Sequence, residues 1–360
     1  MKKIKLFDPI ITAKEEQAVI KTLKSKFWAS GSGSGNVLEF EKKFNKYTEA
    51  KRTISVNSGT AALHLALSLV NVKNKEVILP SLSFVSTANA IIYNGGIPKF
   101  VDVDPTTLCL DPLKVSKAIN KNTKVILPVH FGGLPAKLDE FVKLCKKNNL
   151  KLIEDAAHAV GSTFKNKKIG SHGFAVCFSF HPVKNLAMPT GGAITLNEKD
   201  VKKYEELLKS RRWCGITNRK GVKYDVNELG WNYYMNEFSA AIGIEQLKKL
   251  DKLNKKRKNI AKRYFEEIKL SGKMPLNQDS SYHLYWIRVP KRDSFMQKMN
   301  ENNIETGIHY LPIHKMKLFN SKQKLPITEK ICSEIVSIPI HPNLSESDIS
   351  RIINSVNKYA

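Results

Sequence analysis

Arginine is scarce in this chain, supplying only nine of its 59 basic residues. Nucleic-acid readers lean on arginine for forked and stacking contacts. The other 50 are lysines scattered through nearly every segment, with no basic tail or block, which reads as lysine-studded helix faces and argues against a nucleic-acid partner. Acid is also in deficit: 33 acidic residues leave a formal net charge of +26, which favours an anionic partner or substrate. Cysteine is rare, odd in number and widely spaced (Cys109, Cys145, Cys177, Cys214, Cys332), with no CxxC pair and no Cys/His cluster suited to zinc. A reduced, cytoplasmic protein without a structural metal is therefore expected. Long apolar runs are missing too. The longest uncharged stretch, 77–98, is broken by Pro80 and Gly95-Gly96, and the chain reaches Asp8-Pro9 before any apolar run, so neither a membrane span nor a cleaved leader is expected. The absence of a Walker A sequence, of HExxH and of GxSxG removes the usual support for nucleotide hydrolases, zincins and serine hydrolases.

What is present is a hydrophobic fraction of 42% over 360 residues, ample for a large core. Between residues 50 and 200, β-rich runs (53–56, 76–79, 99–103, 124–129, 151–153, 176–180, 193–196) alternate with helical patterns (60–70, 85–93, 112–119, 138–147). That rhythm predicts an α/β fold with a mostly parallel sheet, whose ligands sit beyond the C-terminal ends of the strands. Helices are expected at 12–27, with a capping box from Thr12 to Glu15, and at 37–47, 198–212 and 236–264. The tail holds a strand at 284–289, a helix at 294–302 and a last helix opened by Ser345 and Asp348. We divide the chain into a large unit, 1–249, and a smaller C-terminal α+β unit, 250–360. The patch Gly31 to Gly35 follows a helical pattern instead of a strand and has Asn36 where a dinucleotide fingerprint needs glycine, so it reads as a loop.

Three places carry chemistry. In Asn57-Ser58-Gly59-Thr60-Ala61-Ala62-Leu63-His64 a strand ends and a helix begins among small residues. Its free N–H groups and dipole suit a phosphate, and Gly59 permits close approach; an ordinary helix cap is the plain alternative. Glu154 and Asp155 follow a buried strand, with His158 one helical step on, which reads either as capping and packing or as a site. Lys184 lies 29 residues after Asp155, at the end of a strand among apolar and aromatic residues, where desolvation lowers a lysine pKa and makes the amine nucleophilic. A phosphate anchor, an acid for a pyridine nitrogen and a lysine for a Schiff base are together what pyridoxal 5'-phosphate (PLP) requires.

At this point the chain resembles the DegT/DnrJ/EryC1/StrS aminotransferases. The likeness runs through the ordered set 57–67 (NSGTAALHLAL), 80–91 (PSLSFVSTANAI), 100–104 (FVDVD), 154–161 (EDAAHAVG), 179–184 (SFHPVK), 191–193, 230–246 (GWNYYMNEFSAAIGIEQ) and 307–314 (GIHYLPIH). It implies the fold type I, aspartate aminotransferase-like architecture of PLP enzymes, and transfer of an amino group, with L-glutamate as the donor, to a keto group of a nucleotide-linked sugar. It implies Lys184 as the cofactor lysine and proton shuttle, Asp155 against the pyridine nitrogen, His158 near the 3-hydroxyl edge and Phe84 stacked on the ring. Ser58, Gly59, Thr60 and Ser179 would hold the phosphate, Asn232 would reach in from the second subunit of a homodimer, and His309 and Tyr310 would approach the sugar. Thr190 stands where the family generally has an acid, and Tyr234 where arginine is common. Cyclitol transamination, sugar dehydration and a non-catalytic PLP-binding regulator stay open as alternatives; the dehydratases of the family carry histidine in place of the lysine. Trp231, Tyr233, Tyr234 and Met235 read as interface core, and Arg211, Arg212, Arg219 and Lys220 as either a diphosphate-facing cluster or a solvated loop.

Overall fold

The computed structural model describes residues 2–360. Helices α1 (Ala13–Ser25) and α2 (Gly35–Thr48) lead into β1 (Arg52–Val56) and α3 (Gly59–Ser68), then β2 (Glu76–Pro80), α4 (Ser86–Tyr93) and β3 (Ile97–Val101). Next come α5 (Pro112–Ala118), β4 (Thr123–Ile126), α6 (Leu138–Asn148) and β5 (Lys151–Asp155), a short hairpin of β6 (Thr163–Phe164) and β7 (Lys167–Lys168), then β8 (Ala175–Ser179) and β9 (Gly192–Leu196). The central sheet has seven strands in the order β1, β9, β8, β5, β4, β2, β3. Only β9 runs against its neighbours, so the sheet is mostly parallel, as the alternating pattern predicts.

Both faces of that sheet are covered, which is why its strands read as unbroken apolar runs and not as alternating ones. The pleat sends Val77, Leu79, Val125, Ile153 and Cys177 to one face, where α3 and α4 pack, and Ile78, Ile126, Val176 and Phe178 to the other, where Phe40 and Phe44 of α2 meet them. After β9 come α7 (Val201–Arg211), a hairpin of β10 (Ile216–Lys220) and β11 (Lys223–Val226), and α8 (Glu237–Glu267). The 31 residues of α8 form one helix opened by the Asn236 side chain, which accepts from the Ser239 N–H, and position 249–250 falls inside it. The tail adds β12 (Tyr285–Arg288), α9 (Arg292–Glu301), α10 (Pro326–Glu334), β13 (Ile335–Ile338), paired antiparallel with β12, and α11 (Glu346–Tyr359). Among the described residues no helix is long and apolar enough to cross a membrane, and no group of three or more His, Cys, Asp or Glu side chains is arranged to hold a metal ion.

Two readings of the sequence need correction. Residues 156–161, where His158 is expected one helical step past the strand, form turns. Arg212 is neither solvated nor facing an anion from outside: it is fully buried, and its Nη1 donates to Glu41 Oε1 at 2.5 Å and to the Ser55 carbonyl at 2.8 Å. Glu41 also accepts from the Ser55 N–H and hydroxyl, so one carboxylate ties α2, β1 and the end of α7 together. The glycine patch covers this pair, because Gly33, at φ +71°, lies where a Cβ would sit 2.0 Å from the Arg212 guanidinium. Arg211 is likewise engaged, by Glu228 and the Ser68 carbonyl. Removing the charge of Glu41 while keeping its shape should leave a buried guanidinium uncompensated. Glu41→Gln is therefore expected to lower stability by about 3 kcal/mol in urea unfolding, and an unchanged midpoint would show that the pair does not hold α2 to the sheet.

Candidate active site

The C-terminal ends of β5 and β8, the first turn of α3 and the loop after α9 enclose a cavity of about 330 Å³. Its wall includes Ser58, Gly59, Thr60, Phe84, Asp155, His158, Ser179, Lys184, His309 and Tyr310, which is every site residue expected from the sequence except Asn232. Asn232 is exposed and lies outside the cavity of its own chain, with its backbone carbonyl accepting from Asn57 Nδ2 at 3.3 Å.

One wall suits an anion. The first turn of α3 has N–H groups with no carbonyl four residues upstream within the helix, and the Ser58 hydroxyl takes one of them, from Ala61 at 3.1 Å. Gly59 and Ser179 are pressed together so closely that a Cβ on residue 59 would sit 2.7 Å from the Ser179 Cβ. Only glycine lets the helix start come this near to the end of β8. Thr60 Oγ1 meets Ser86 Oγ at 2.7 Å, linking the starts of α3 and α4.

Asp155, the last residue of the central strand β5, is buried with its carboxylate at the cavity floor. Thr87 donates to Oδ2 at 2.8 Å, with Ser83 behind it at 2.7 Å, and the Ala157 N–H donates to Oδ1 at 3.1 Å. Burial pushes the carboxyl pKa up, while those two donors and the Lys184 charge pull it back toward the ionised form. Thr87 and Ser83 are absent from the sequence reading, since hydroxyls in the PSLSFVST run carry no spacing that points to an acid 68 residues away.

His158 sits between two partners. The Gly132 N–H donates to its Nδ1 at 3.3 Å, which puts the ring proton on Nε2, where Tyr310 Oη lies at 3.0 Å. Burial, followed by the nearby Lys184 and His309, holds its pKa far below the ordinary imidazole range, so the ring is neutral. His309 is depressed to about 4 for the same first reason, burial. Tyr310 stacks on His158 with ring centroids 5.9 Å apart and also approaches Phe84, which stands half-exposed at the cavity mouth. Thr190 lines the mouth too and donates its hydroxyl to the Asn57 carbonyl.

Lys184 follows a tight turn whose backbone N–H bonds back to the His181 carbonyl. The residue is half-buried with its side chain lining the cavity, and desolvation lowers the amine from 10.5 to about 8, with Asp155 acting in the opposite direction. A lysine that loses its proton near neutral pH, a supported acid and a helix start shaped for an anion, in a cavity this size, fit PLP in every part the cofactor needs. Such a site on a seven-stranded α/β sheet defines a PLP-dependent transferase of fold type I.

The comparisons with known proteins agree. The chain belongs to the DegT/DnrJ/EryC1/StrS aminotransferase family, whose model matches residues 9–357. It is similar to the spore coat polysaccharide biosynthesis protein SpsC of Bacillus subtilis, with 34% identity covering 97% of this chain and 95% of that one. Among solved structures it superposes on Helicobacter pylori PseC, an aminotransferase involved in the biosynthesis of pseudoaminic acid, with a TM-score of 0.93 and 30% identity over 99% of each chain. Spr1654 from Streptococcus pneumoniae, in its PLP-form, gives a TM-score of 0.93 at 26% identity over 99% of this chain and 98% of that one. The protein is a PLP-dependent aminotransferase.

A lysine held below its ordinary pKa binds fewer protons folded than unfolded, so its penalty is full below about 8 and gone above 10.5. In cofactor-free protein, Lys184→Met should therefore raise stability at pH 7 by something on the order of 2 kcal/mol, after allowing for water in the cavity. That gain should shrink as the pH rises from about 8 toward 10.5. Urea unfolding at pH 7 and pH 10 reads it, and an equal gain at both would assign the effect to packing.

Proposed function

We propose that this enzyme moves an amino group from L-glutamate to a keto group of a nucleotide-linked sugar, in the cytoplasm, as a step in making an amino sugar for a surface polysaccharide or glycoconjugate. The observation that carries the reading is the meeting of Lys184, Asp155 and the α3 start in one cavity whose open side is lined by neutral hydrogen-bonding groups, His309 and Tyr310, and by the half-exposed Phe84. When bound, PLP supplies an aldehyde for the amino group and a pyridinium that draws electrons from the donor. In the reading proposed, Asp155 keeps the pyridine nitrogen protonated, and Lys184 Nζ takes the donor's Cα proton and returns it. Ser58, Gly59, Thr60 and Ser179 hold the phosphate. His158 and Phe84 fix the ring, while His309 and Tyr310 meet the sugar. Residues 1–249 form the cofactor-binding unit and 250–360 the smaller one. PseC and SpsC, by their names, work in the biosynthesis of pseudoaminic acid and of spore coat polysaccharide, which supports a sugar acceptor here. Lys184 disfavours the dehydratase alternative.

We further propose a homodimer in which Asn232 completes the phosphate site of the second copy, supported by its exposure and its position outside its own cavity. Mixing Lys184→Ala with Asn232→Ala should then yield hybrids with one intact site, and at most about one quarter of wild-type activity after random exchange. No recovery, with mass measurements proving that hybrids formed, removes Asn232 from the partner's site. For the substrate, nucleotide-linked amino sugars should discharge the visible absorbance of the PLP form while free amino sugars and aminocyclitols leave it unchanged. Discharge by an aminocyclitol alone would replace the nucleotide-sugar reading.

A further inference from the structure

The amine of Lys184 has one hydrogen-bonding neighbour among the described residues, and it is not an acid. His283 Nε2 lies 3.4 Å from Nζ, at the long end for a hydrogen bond but in the range from which contacts in a cofactor-free site tighten. His283 immediately precedes Leu284 and β12, and is buried. Its backbone is held on three sides: Leu284 N–H donates to the Gly132 carbonyl, Ser281 N–H donates to Ser162 Oγ, and the Ser281 carbonyl accepts from Asn185, the residue after Lys184. Its ring is held as well. Phe7 stacks on it with centroids 5.7 Å apart and an interplanar angle of 18°, and His158 lies at 4.6 Å on another side. Phe7 comes from an N-terminal strap, in which Ile4 exchanges hydrogen bonds with Asn303 and Glu305 and His341 donates to the Lys5 carbonyl.

Among the described residues the His283 ring's Nδ1 has no partner, and Nε2 meets only the lysine. The groups that face this pair are Asp155 on β5, His158 in the turn after it, His181 ahead of Lys184, His309 in the loop after α9 and Arg257 on α8. Only Asp155 is anionic. Burial, followed by the charges of Lys184 and Arg257, pushes the His283 ring toward the neutral form, and because an ammonium can only donate, Nε2 is the acceptor when Nζ is protonated.

We propose that His283 is a positioning residue for Lys184, accepting a hydrogen bond from Nζ at Nε2 so that the free amine stays aimed into the cavity, with Phe7 of the N-terminal strap holding the ring in place. This rests on Lys184 being the cofactor lysine. It adds to the chemistry a residue nearly 100 positions further along the chain and a strap from the opposite end.

The test is the rate at which the cofactor-free full chain takes up PLP on Lys184, followed by visible absorbance across pH. Two quantities come from it: the high-pH plateau, which reports how well the amine is aimed, and the pH midpoint, which reports how well the ammonium is held. His283→Phe keeps a flat ring against Phe7 and removes the acceptor. It should lower the plateau about tenfold and move the midpoint down by about half a unit to one unit. His283→Gln, whose amide oxygen reaches the place of Nε2, should restore the midpoint and most of the plateau, whereas the shorter His283→Asn should behave as Phe does. A packing role gives the reverse order, with Phe close to wild type and Gln impaired, and would overturn the proposal, as would Gln and Asn behaving alike. If Lys184→Ala still yields a borohydride-fixed cofactor on another lysine, it is the assignment of Lys184 that fails, separately from the role of His283.

Discussion

A carboxylate at the end of the central strand, out of reach of bulk water, is the point on which the site depends. Asp155 occupies the fourth of seven strands, so the sheet itself sets its position, and burial makes its charge unfavourable unless donors and a cation support it. Thr87 and the Ala157 N–H supply the donors, and Lys184 the cation. The reverse also holds. Lys184 is itself desolvated, and Asp155 is the opposite charge that favours its protonated form. Each group makes the other tolerable, and a cofactor bringing its own protonated nitrogen and aldehyde would take over both roles.

Around that pair the protein adds hydrogen-bonding capacity without adding charge. His158, His283 and His309 all stand close to Lys184, and all are pushed toward the neutral form, first by burial and then by the lysine. Neutral imidazoles can accept or donate by tautomer, so His158 and His283 can orient Tyr310 and Lys184 without adding, among the described residues, a second anion beside the lysine. The fold supplies the rigidity this needs. Gly132 and Gly133, both at positive φ, form a tight turn whose backbone holds His158 from one side and the 281–284 segment from the other.

The parallel sheet was legible because its strands are apolar on both faces, and Asp155, Ser179 and the Ser58 to Thr60 segment drew attention because they close a strand or open a helix, where α/β folds place ligands. Other elements left weaker traces. The β12 to β13 pair was half seen, since α10 passes straight into β13 at Glu334 and Ile335 with no turn residue between them. The exposed β10 to β11 hairpin has no buried face to impose a pattern. Arg212 read as either a diphosphate-facing residue or a solvated one because its true partner, Glu41, is 171 residues away and nothing local announces a buried ion pair. His283 failed to stand out for a similar reason: one histidine before a strand is an ordinary sight, and its meaning comes only from the lysine that the fold brings to it.

The same distinction between pattern and position governs the other reactive-looking constellation in the molecule. Ser81, His314 and Glu329 align as a hydroxyl, an imidazole and a carboxylate, with Ser81 Oγ 2.7 Å from Nδ1 and Glu329 Oε1 3.1 Å from Nε2. A carboxylate only accepts, so Nε2 carries a proton toward Glu329, and in the neutral ring Nδ1 takes the Ser81 hydroxyl hydrogen. That hydroxyl in turn accepts from the His314 backbone N–H at 3.1 Å, and Ser81 is fully buried. The hydroxyl proton and one of its two lone pairs are already committed inside the protein, and burial keeps a substrate from the oxygen. What the circuit does is fasten the loop after α9 to the end of β2, with the Ile313 N–H adding a bond to the Ser81 carbonyl. Three and four residues before that clip stand Tyr310 and His309. The clip thus sets how those two side chains hang over the cavity, and a triad in outline serves as the hinge pin for a different chemistry.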